Sequence, residues 1–434
     1  MTTDRRTAPH AVVLTGAGAG LGRGPGSPPG PDGACARPAR QPERARPGIR
    51  PDLREPAVPV NGVRRTVPTV GVEEEFLLVD RRSRLPVPRA PQVLAASAAA
   101  LGGQVQPEFL QAQVETCTRP ALRLKELRDD LARLRAVLVA AAADAGCLLV
   151  ASGTPVLTGP GAAVLTENPR YRRMAARYPG AVDGWGGALC GCHIHLGTVD
   201  RGLALALGNR LRPWLPVLQA LAVNSPFDGG RDSGFASWRT VRLARWPTVG
   251  PAPVLDEPGY EALADSLVAR GTLLDRRMIY WYTRPSEHLP TLEVRITDVN
   301  ADLDTVLLLA GLLRGLASVL LEEARAGVPA PGVPPERLTA AHRRAARTGP
   351  DGGGLDPFTG RPVPMAALVD RLLDRAAPGL AAAGDLPAAE AGLDRLRRLG
   401  TGAERQRRHY LLRHRPADVV DALARQTAAL PPAD

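Results

Sequence analysis

Two periodicities share this chain. Period-two alternation of apolar and polar positions predicts strands over 69–79, 104–116, 189–199 and 289–299, the second with an irregular start at Pro107. Apolar positions spaced three and four apart predict a long amphipathic helix over 122–145. The same spacing predicts helices over 203–222, 260–270, 303–326, 336–347, 363–381, 387–398, 403–412 and 416–428, with a Gly/Pro loop over 349–361. Strand and helix patterns interleave too closely to place a boundary, so residues 66–434 read as one α+β domain whose C-terminal helical part begins near 336. No internal repeat is visible.

Residues 1–65 have a different texture. They hold 11 Pro and 10 Gly, too little apolar surface to offset the entropy of ordering, and read as a disordered tail. Within it, residues 12–22 (VVLTGAGAGLG) match a dinucleotide-binding turn. That turn needs a helix to follow, because the helix N-terminus holds the pyrophosphate. The next residues, RGPGSPPG, cannot form one.

Charge and cysteine content narrow the function. The 434 residues carry 55 Lys and Arg against 44 Asp and Glu, a net charge of +11, but residues 1–65 hold 11 Arg and 5 acids and so supply +6 of it. The remainder is nearly balanced, which argues against a nucleic-acid surface. Cys35, Cys117, Cys147, Cys190 and Cys192 form no C-x-x-C pair and no disulfide framework. No secretory pattern opens the chain. The most apolar stretch, 303–321, is interrupted by Arg314, as in a buried helix rather than a membrane span. The cytoplasm is the expected compartment, with small-molecule partners, no nucleic acid and no membrane. An oligomer is compatible with the sequence.

Three strands carry the candidate chemistry. In GVEEEF, alternation places Glu73 and Glu75 on one face and Val72, Glu74 and Phe76 on the other. Two carboxylates about 7 Å apart on one face call for a hard divalent cation, although an edge strand with a solvated acidic face has the same pattern. In CGCHIHLG, His193 and His195 share a face with Gly191 and Gly197, which leave room over it for a bound group; half-buried histidines bonded to neighbours fit equally. In LPTLEVRIT, Thr291, Glu293, Arg295 and Thr297 lie opposite Leu292, Val294 and Ile296. Glu293 and Arg295 are a surface ion pair, or a metal ligand beside a phosphate clamp.

Between these strands, residues 224–239 (NSPFDGGRDSGFASWR) form a long polar loop ending in arginine. GTGAERQRR, from Gly400, is a helix start with basic residues. No Walker A lysine motif, G-x-S-x-G or H-E-x-x-H occurs, so the chemistries those motifs support are without their usual signatures.

Taken in order, GVEEEFLLVD, EFLQAQVE, GCHIHLG, NSPF with GRDSGFASWRT, RPSEHLPTLEVRITDVNADLDT and GTGAERQRR resemble the glutamate–cysteine ligase type 2 family of ATP-dependent carboxylate–amine ligases, from about Thr69 to Tyr410. The resemblance implies a glutamine-synthetase-like catalytic fold: a curved, mostly antiparallel sheet forming an active-site funnel, packed by helices. It implies ATP and two or three Mg²⁺ ions. Matched motif by motif, the metal ligands are Glu73, Glu75, Glu108, Glu115, His193 and Glu293. Glu108 and Glu115 would fall on opposite faces of a regular strand, so both serve only if a turn or bulge separates them. Arg295 and Arg239 match catalytic arginines; His195, Arg231 and Trp238 match substrate contacts. The implied reaction joins a glutamate-like carboxylate to an amine, nominally L-cysteine, through an acyl phosphate, an activity often weak in such ligases. Tyr282 and Asp228 depart from the family pattern near the presumed substrate mouth. Two other readings use the same residues: a nucleotide-binding homologue without turnover, and a zinc hydrolase built on His193 and His195.

Overall fold

Alternating apolar side chains draw seven strands into one sheet: Val70–Asp80 (β1), Val105–Pro107 (β2), Gln113–Cys117 (β3), Cys147–Val150 (β4), Gly191–Gly197 (β5), Thr283–Pro285 (β6) and Thr291–Asp298 (β7). The computed structural model describes residues 57–60, 63–160, 163–198 and 200–429. The strand order is β6-β7-β5-β1-β3-β2, with β4 paired to the C-terminal half of β1, and every pairing is antiparallel. The glutamate-bearing strand is therefore central, not an edge. Most of the expected tail, including its dinucleotide-like turn and Cys35, lies outside the described residues. Ala57–Val60 and Val63–Thr66 pair as a hairpin, so the expected boundary at 65 falls inside a strand.

Helices cover the apolar face. Those the site depends on are Leu124–Asp144 (α1), Trp238–Leu243 (α2), Leu303–Arg325 (α3), Pro335–Thr348 (α4), Met365–Ala383 (α5), Leu386–Leu399 (α6), Gly402–Arg413 (α7) and Pro416–Ala428 (α8). Val72, Ile194, Leu196, Leu292 and Val294 from the sheet meet Leu309, Leu312, Leu313 and Leu316 of α3 in one buried cluster. Phe76 and Leu78 meet Leu134 and Leu138 of α1 in another. By length and composition α3 could cross a membrane, but 89% of its most apolar window is buried in the protein. Its Arg314 has no exposed side-chain surface and donates from Nε to Asp385 Oδ2 at 3.0 Å.

The middle residue of the glutamate triplet is held by the core. Glu74 points away from Glu73 and Glu75 and is fully buried. Arg135 of α1 donates to it from Nε (3.0 Å) and Nη2 (2.5 Å), and to the carbonyls of Asn300 (2.7 Å) and Ala301 (2.8 Å). One arginine thus ties β1 to the backbone following β7.

The fold departs from the periodicity in a few places. The single strand expected over 104–116 is a hairpin, β2 and β3, broken after Pro107. The helix expected over 203–222 is two, Arg201–Leu211 and Leu215–Leu221, separated around Pro213, which cannot donate within a helix. Helices Ala90–Leu101 and Pro169–Arg177 and strands β4 and β6 went unrecognised because each is short or Ala-rich.

Candidate active site

Register brings the three marked strands together. Glu73 lies opposite His193, Glu75 opposite Glu115, His195 opposite Glu293, and Glu293 opposite Arg284. Directly opposed residues of antiparallel strands project to the same face, so one row of side chains crosses five strands away from the apolar core. Glu108 joins from the connection between β2 and β3, the break that the resemblance required.

The donor atoms converge. Glu73, His195 and Glu293 form one group, Glu73, Glu115 and His193 a second, and Glu75, Glu108 and Glu115 a third, each with donor atoms within 4.8 Å of one another. Sharing Glu73 and Glu115 makes them overlap. His193 Nδ1 is 3.3 Å from Glu73 Oε2 and 3.6 Å from Glu293 Oε1, and its Nε2 is 3.7 Å from Glu75 Oε1. His195 Nδ1 is 3.0 Å from Thr291 Oγ1, which fixes the ring, while its Nε2 is 3.2 Å from Glu73 Oε1 but misaligned for a hydrogen bond. Both Nε2 atoms are buried without a hydrogen-bond partner. Glu293 is clamped by Arg284 Nε at 2.6 Å and by Arg295.

Crowding buried carboxylates sets their charge states. Burial, and then the neighbouring charge of Glu108, pushes Glu75 up to about 8. Burial and the surrounding glutamates raise Glu115 well above the usual carboxylate range, and burial also raises Glu108. Burial would raise Glu73 too, but the adjacent imidazoles of His193 and His195 outweigh it and hold Glu73 well below that range. Burial and the positive charge of Arg295 push His193 down to about 3, so its imidazole is neutral and free to ligate at pH 7. Mostly carboxylate oxygens, with two imidazoles, in overlapping groups make a donor set suited to hard divalent ions.

Arg239 is the cation aimed at this row. It sits in the first turn of α2 and is buried, with Nε and Nη1 unpartnered. Its guanidinium occupies the space over Gly191, where any Cβ would collide with it, and the Thr69 side chain fills the space over Gly197 in the same way. The room expected above those glycines is therefore taken by the protein itself. Gly191 also donates its N–H to Glu75 Oε2 at 2.5 Å.

The other expected residues are placed as follows. Arg295 joins Glu293 and lies with Cζ 5.6 Å from the centroid of the Tyr280 ring. Thr297, expected beside it, is not on this face: a bulge between Val294 and Thr297 puts Thr297 opposite Cys192, on the core side. Arg231 is exposed in a two-residue strand opposite Asp228. Trp238 gives its indole N–H to Asp228 Oδ2 at 2.9 Å, and Arg242 donates to the same oxygen. Tyr282 packs against His342 in a tilted arrangement with ring centroids 4.4 Å apart. Neither Arg231 nor Trp238 makes the contacts that gather the glutamates and histidines. Sequence reasoning missed Arg284 and Asp298, and placed Thr291 on this face without giving it a role. The parity of β6 and the bulge in β7 conceal the first two, but Thr291 was legible as two residues before Glu293.

Residues 69–426 match the profile of glutamate–cysteine ligase family 2. A Saccharopolyspora erythraea protein with the provisional name glutamate–cysteine ligase 2-1 is 44% identical over 370 residues, 84% of this chain and 97% of that one. A Mycolicibacterium vanbaalenii protein provisionally named glutamate–cysteine ligase 2-2 is 44% identical over 364 residues, 84% of this chain and 98% of that one. Among solved structures, the Francisella tularensis glutamate–cysteine ligase in complex with AMP superposes with a TM-score of 0.60 at 12% identity, covering 85% of this chain and 91% of that one. A bifunctional glutathione synthetase from Pasteurella multocida superposes with a TM-score of 0.60 at 15% identity; the match covers 83% of this chain and about half, 52%, of that one. These two structural likenesses establish the α+β fold.

Proposed function

The chain belongs to glutamate–cysteine ligase family 2, and from that premise we propose that it is an ATP-dependent carboxylate–amine ligase that forms an amide between a glutamate-like acid and an amine, nominally L-cysteine. The observation that carries the reading is the row of overlapping donor groups beneath a buried arginine whose Nε and Nη1 have no hydrogen-bond partner. A triphosphate without a P-loop lysine needs other positive charge, and this face offers both metal ligands and guanidinium groups.

Glu73, Glu75, Glu108, Glu115, His193 and Glu293 would hold two or three Mg²⁺ ions. When bound, these ions supply neutralising charge to the triphosphate. The substrate carboxylate attacks the γ-phosphorus, the bond to the ADP oxygen breaks, and an acyl phosphate forms. The amine nitrogen then attacks the acyl carbon, the C–N bond forms, phosphate leaves and the amine proton is released. Arg295 and Arg239 stabilise the charge on the transferring phosphoryl group, and the clamp of Arg284 on Glu293 holds that carboxylate in place. His195, steadied by Thr291, lines the substrate side of the row. In our reading the protein works in the cytoplasm, where ATP is plentiful, on small molecules alone.

The test is ADP release by purified protein with Mg²⁺, ATP, glutamate and a panel of amines including cysteine. Amine-dependent ADP release is expected, and Glu293→Gln is expected to remove it while leaving the far-ultraviolet spectrum unchanged. Full activity in that variant would overturn the metal-site assignment. Nucleotide binding with no release for any amine would overturn the ligase reading in favour of a non-catalytic homologue.

A further inference from the structure

Asp298 was hidden by the bulge in β7. That bulge puts it opposite Gly191, at the end of the carboxylate row and beside Arg239. It is almost fully buried, yet among the described residues it has no salt-bridge partner. Both its oxygens are instead taken by one loop. Oδ2 accepts from Asn224 N at 2.9 Å and Ser225 Oγ at 2.7 Å, and Oδ1 accepts from Ser237 Oγ at 2.9 Å. A Cβ on Gly153 would lie 2.9 Å from Asp298 Cγ, so that glycine closes the carboxylate in from behind.

The two serine donors each have a second task, and both lead to one residue. Ser225 Oγ accepts the Arg239 N–H at 3.1 Å, and the Ser225 carbonyl accepts the Trp238 N–H at 2.8 Å. Ser237 caps α2, the short helix that carries Arg239. With three donors in place the carboxylate has little capacity left to take a proton from substrate, so a general-base role does not fit. Its geometry instead fixes both ends of the segment leading into Arg239.

We infer that Asp298 is the positioning residue for Arg239: through Ser225, Ser237 and the Asn224 amide it holds the guanidinium over Gly191, in line with the carboxylate row. What Arg239 then does rests on the ligase reading above; the clamp itself does not. An asparagine at 298 can keep its oxygen toward Asn224 and Ser225 and turn its amide toward Ser237, preserving two of the three bonds. An alanine loses all three.

The experiment is a double-mutant cycle with Asp298→Ala and Arg239→Lys, read by kcat and KM for ATP. Asp298→Ala is expected to lower kcat about 100-fold with KM for ATP changed less than about 3-fold, and Asp298→Asn to retain an intermediate rate. In the Arg239→Lys background, Asp298→Ala is expected to cost less than about 3-fold more, because the group it positions is already lost. The same 100-fold loss in both backgrounds would overturn the proposal. Hydrogen exchange over residues 224–240 reads the clamp without turnover: Asp298→Ala is expected to speed exchange at least tenfold there while the thermal midpoint moves little. Unchanged exchange overturns the clamp even if the wild-type protein proves inactive with every amine, whereas inactivity with faster exchange counts only against the ligase reading.

Discussion

Glu75 couples the charge of the site to pH. An ordinary glutamate ionises near 4.5, whereas burial and Glu108 push this one up to about 8. A group raised on folding contributes stability that is present below its unfolded value and is lost as pH climbs through the folded one. The thermal midpoint of metal-free protein is therefore expected to fall between about pH 5 and pH 8. With Glu75 as the proposed Mg²⁺ ligand, binding displaces its proton, so the apparent affinity is expected to rise up to about tenfold per pH unit below 8 and flatten above. Titration calorimetry in two buffers of different ionisation enthalpy counts the released proton; a Mg²⁺ affinity flat from pH 6 to 8 would contradict this. At this scale much of the site was legible. Period two placed Glu73 with Glu75, His193 with His195 and Glu293 with Arg295, because the alternation holds up to the bulge that begins after Val294. It failed after Arg295, where the bulge reverses parity, exchanging Thr297 for Asp298 on the functional face.

At the scale of elements, the sheet is tied to its helices by buried charge as well as by apolar packing. Arg135 and Glu74 are 1% and 0% exposed at their side chains, so removing one strands the other. Arg135→Met is expected to cost about 3–5 kcal/mol in urea unfolding, and adding Glu74→Leu to recover most of it. A loss below about 1 kcal/mol would mean that water reaches the orphaned carboxylate. Leu312→Ala in α3, a fully buried site, is expected to cost about 2–5 kcal/mol while the folded protein keeps its kcat, since α3 packs on the sheet face opposite the glutamates. The long apolar helices were readable because their periodicity runs for several turns. The β2–β3 hairpin was not, since a three-residue strand offers too few alternations and the sequence 104–116 is nearly continuous in pattern.

For the molecule as a whole, strand order is the part that no local pattern contains. Strands far apart in sequence become neighbours, as β5 does with both β1 and β7; the resemblance to known ligases anticipated a mostly antiparallel sheet but not this order. The C-terminal helices illustrate the same point. Gly402, at the start of α7, leaves no space for a Cβ beside Asn224, and Gln406 donates to Asn224 Oδ1 at 2.8 Å and to its carbonyl at 2.9 Å. Asn224 in turn gives its N–H to Asp298. A chain ending at Leu399 is expected to lose ADP release altogether, although none of the proposed metal ligands lies beyond that point; retained activity would show that the helices only cover the fold. Gly402→Ala is expected to lower activity at least tenfold with a smaller effect on nucleotide binding, as read by equilibrium titration.

That arrangement also orders events in time. The carboxylates, the histidines and Asp298 leave the ribosome first, and Gln406 follows 108 residues after Asp298. At about 5–20 residues per second the interval is about 5–20 s. Throughout it the nascent chain holds its proposed metal-binding face without the wedge that steadies Asn224, so competence to handle ATP is expected only once Gln406 has emerged.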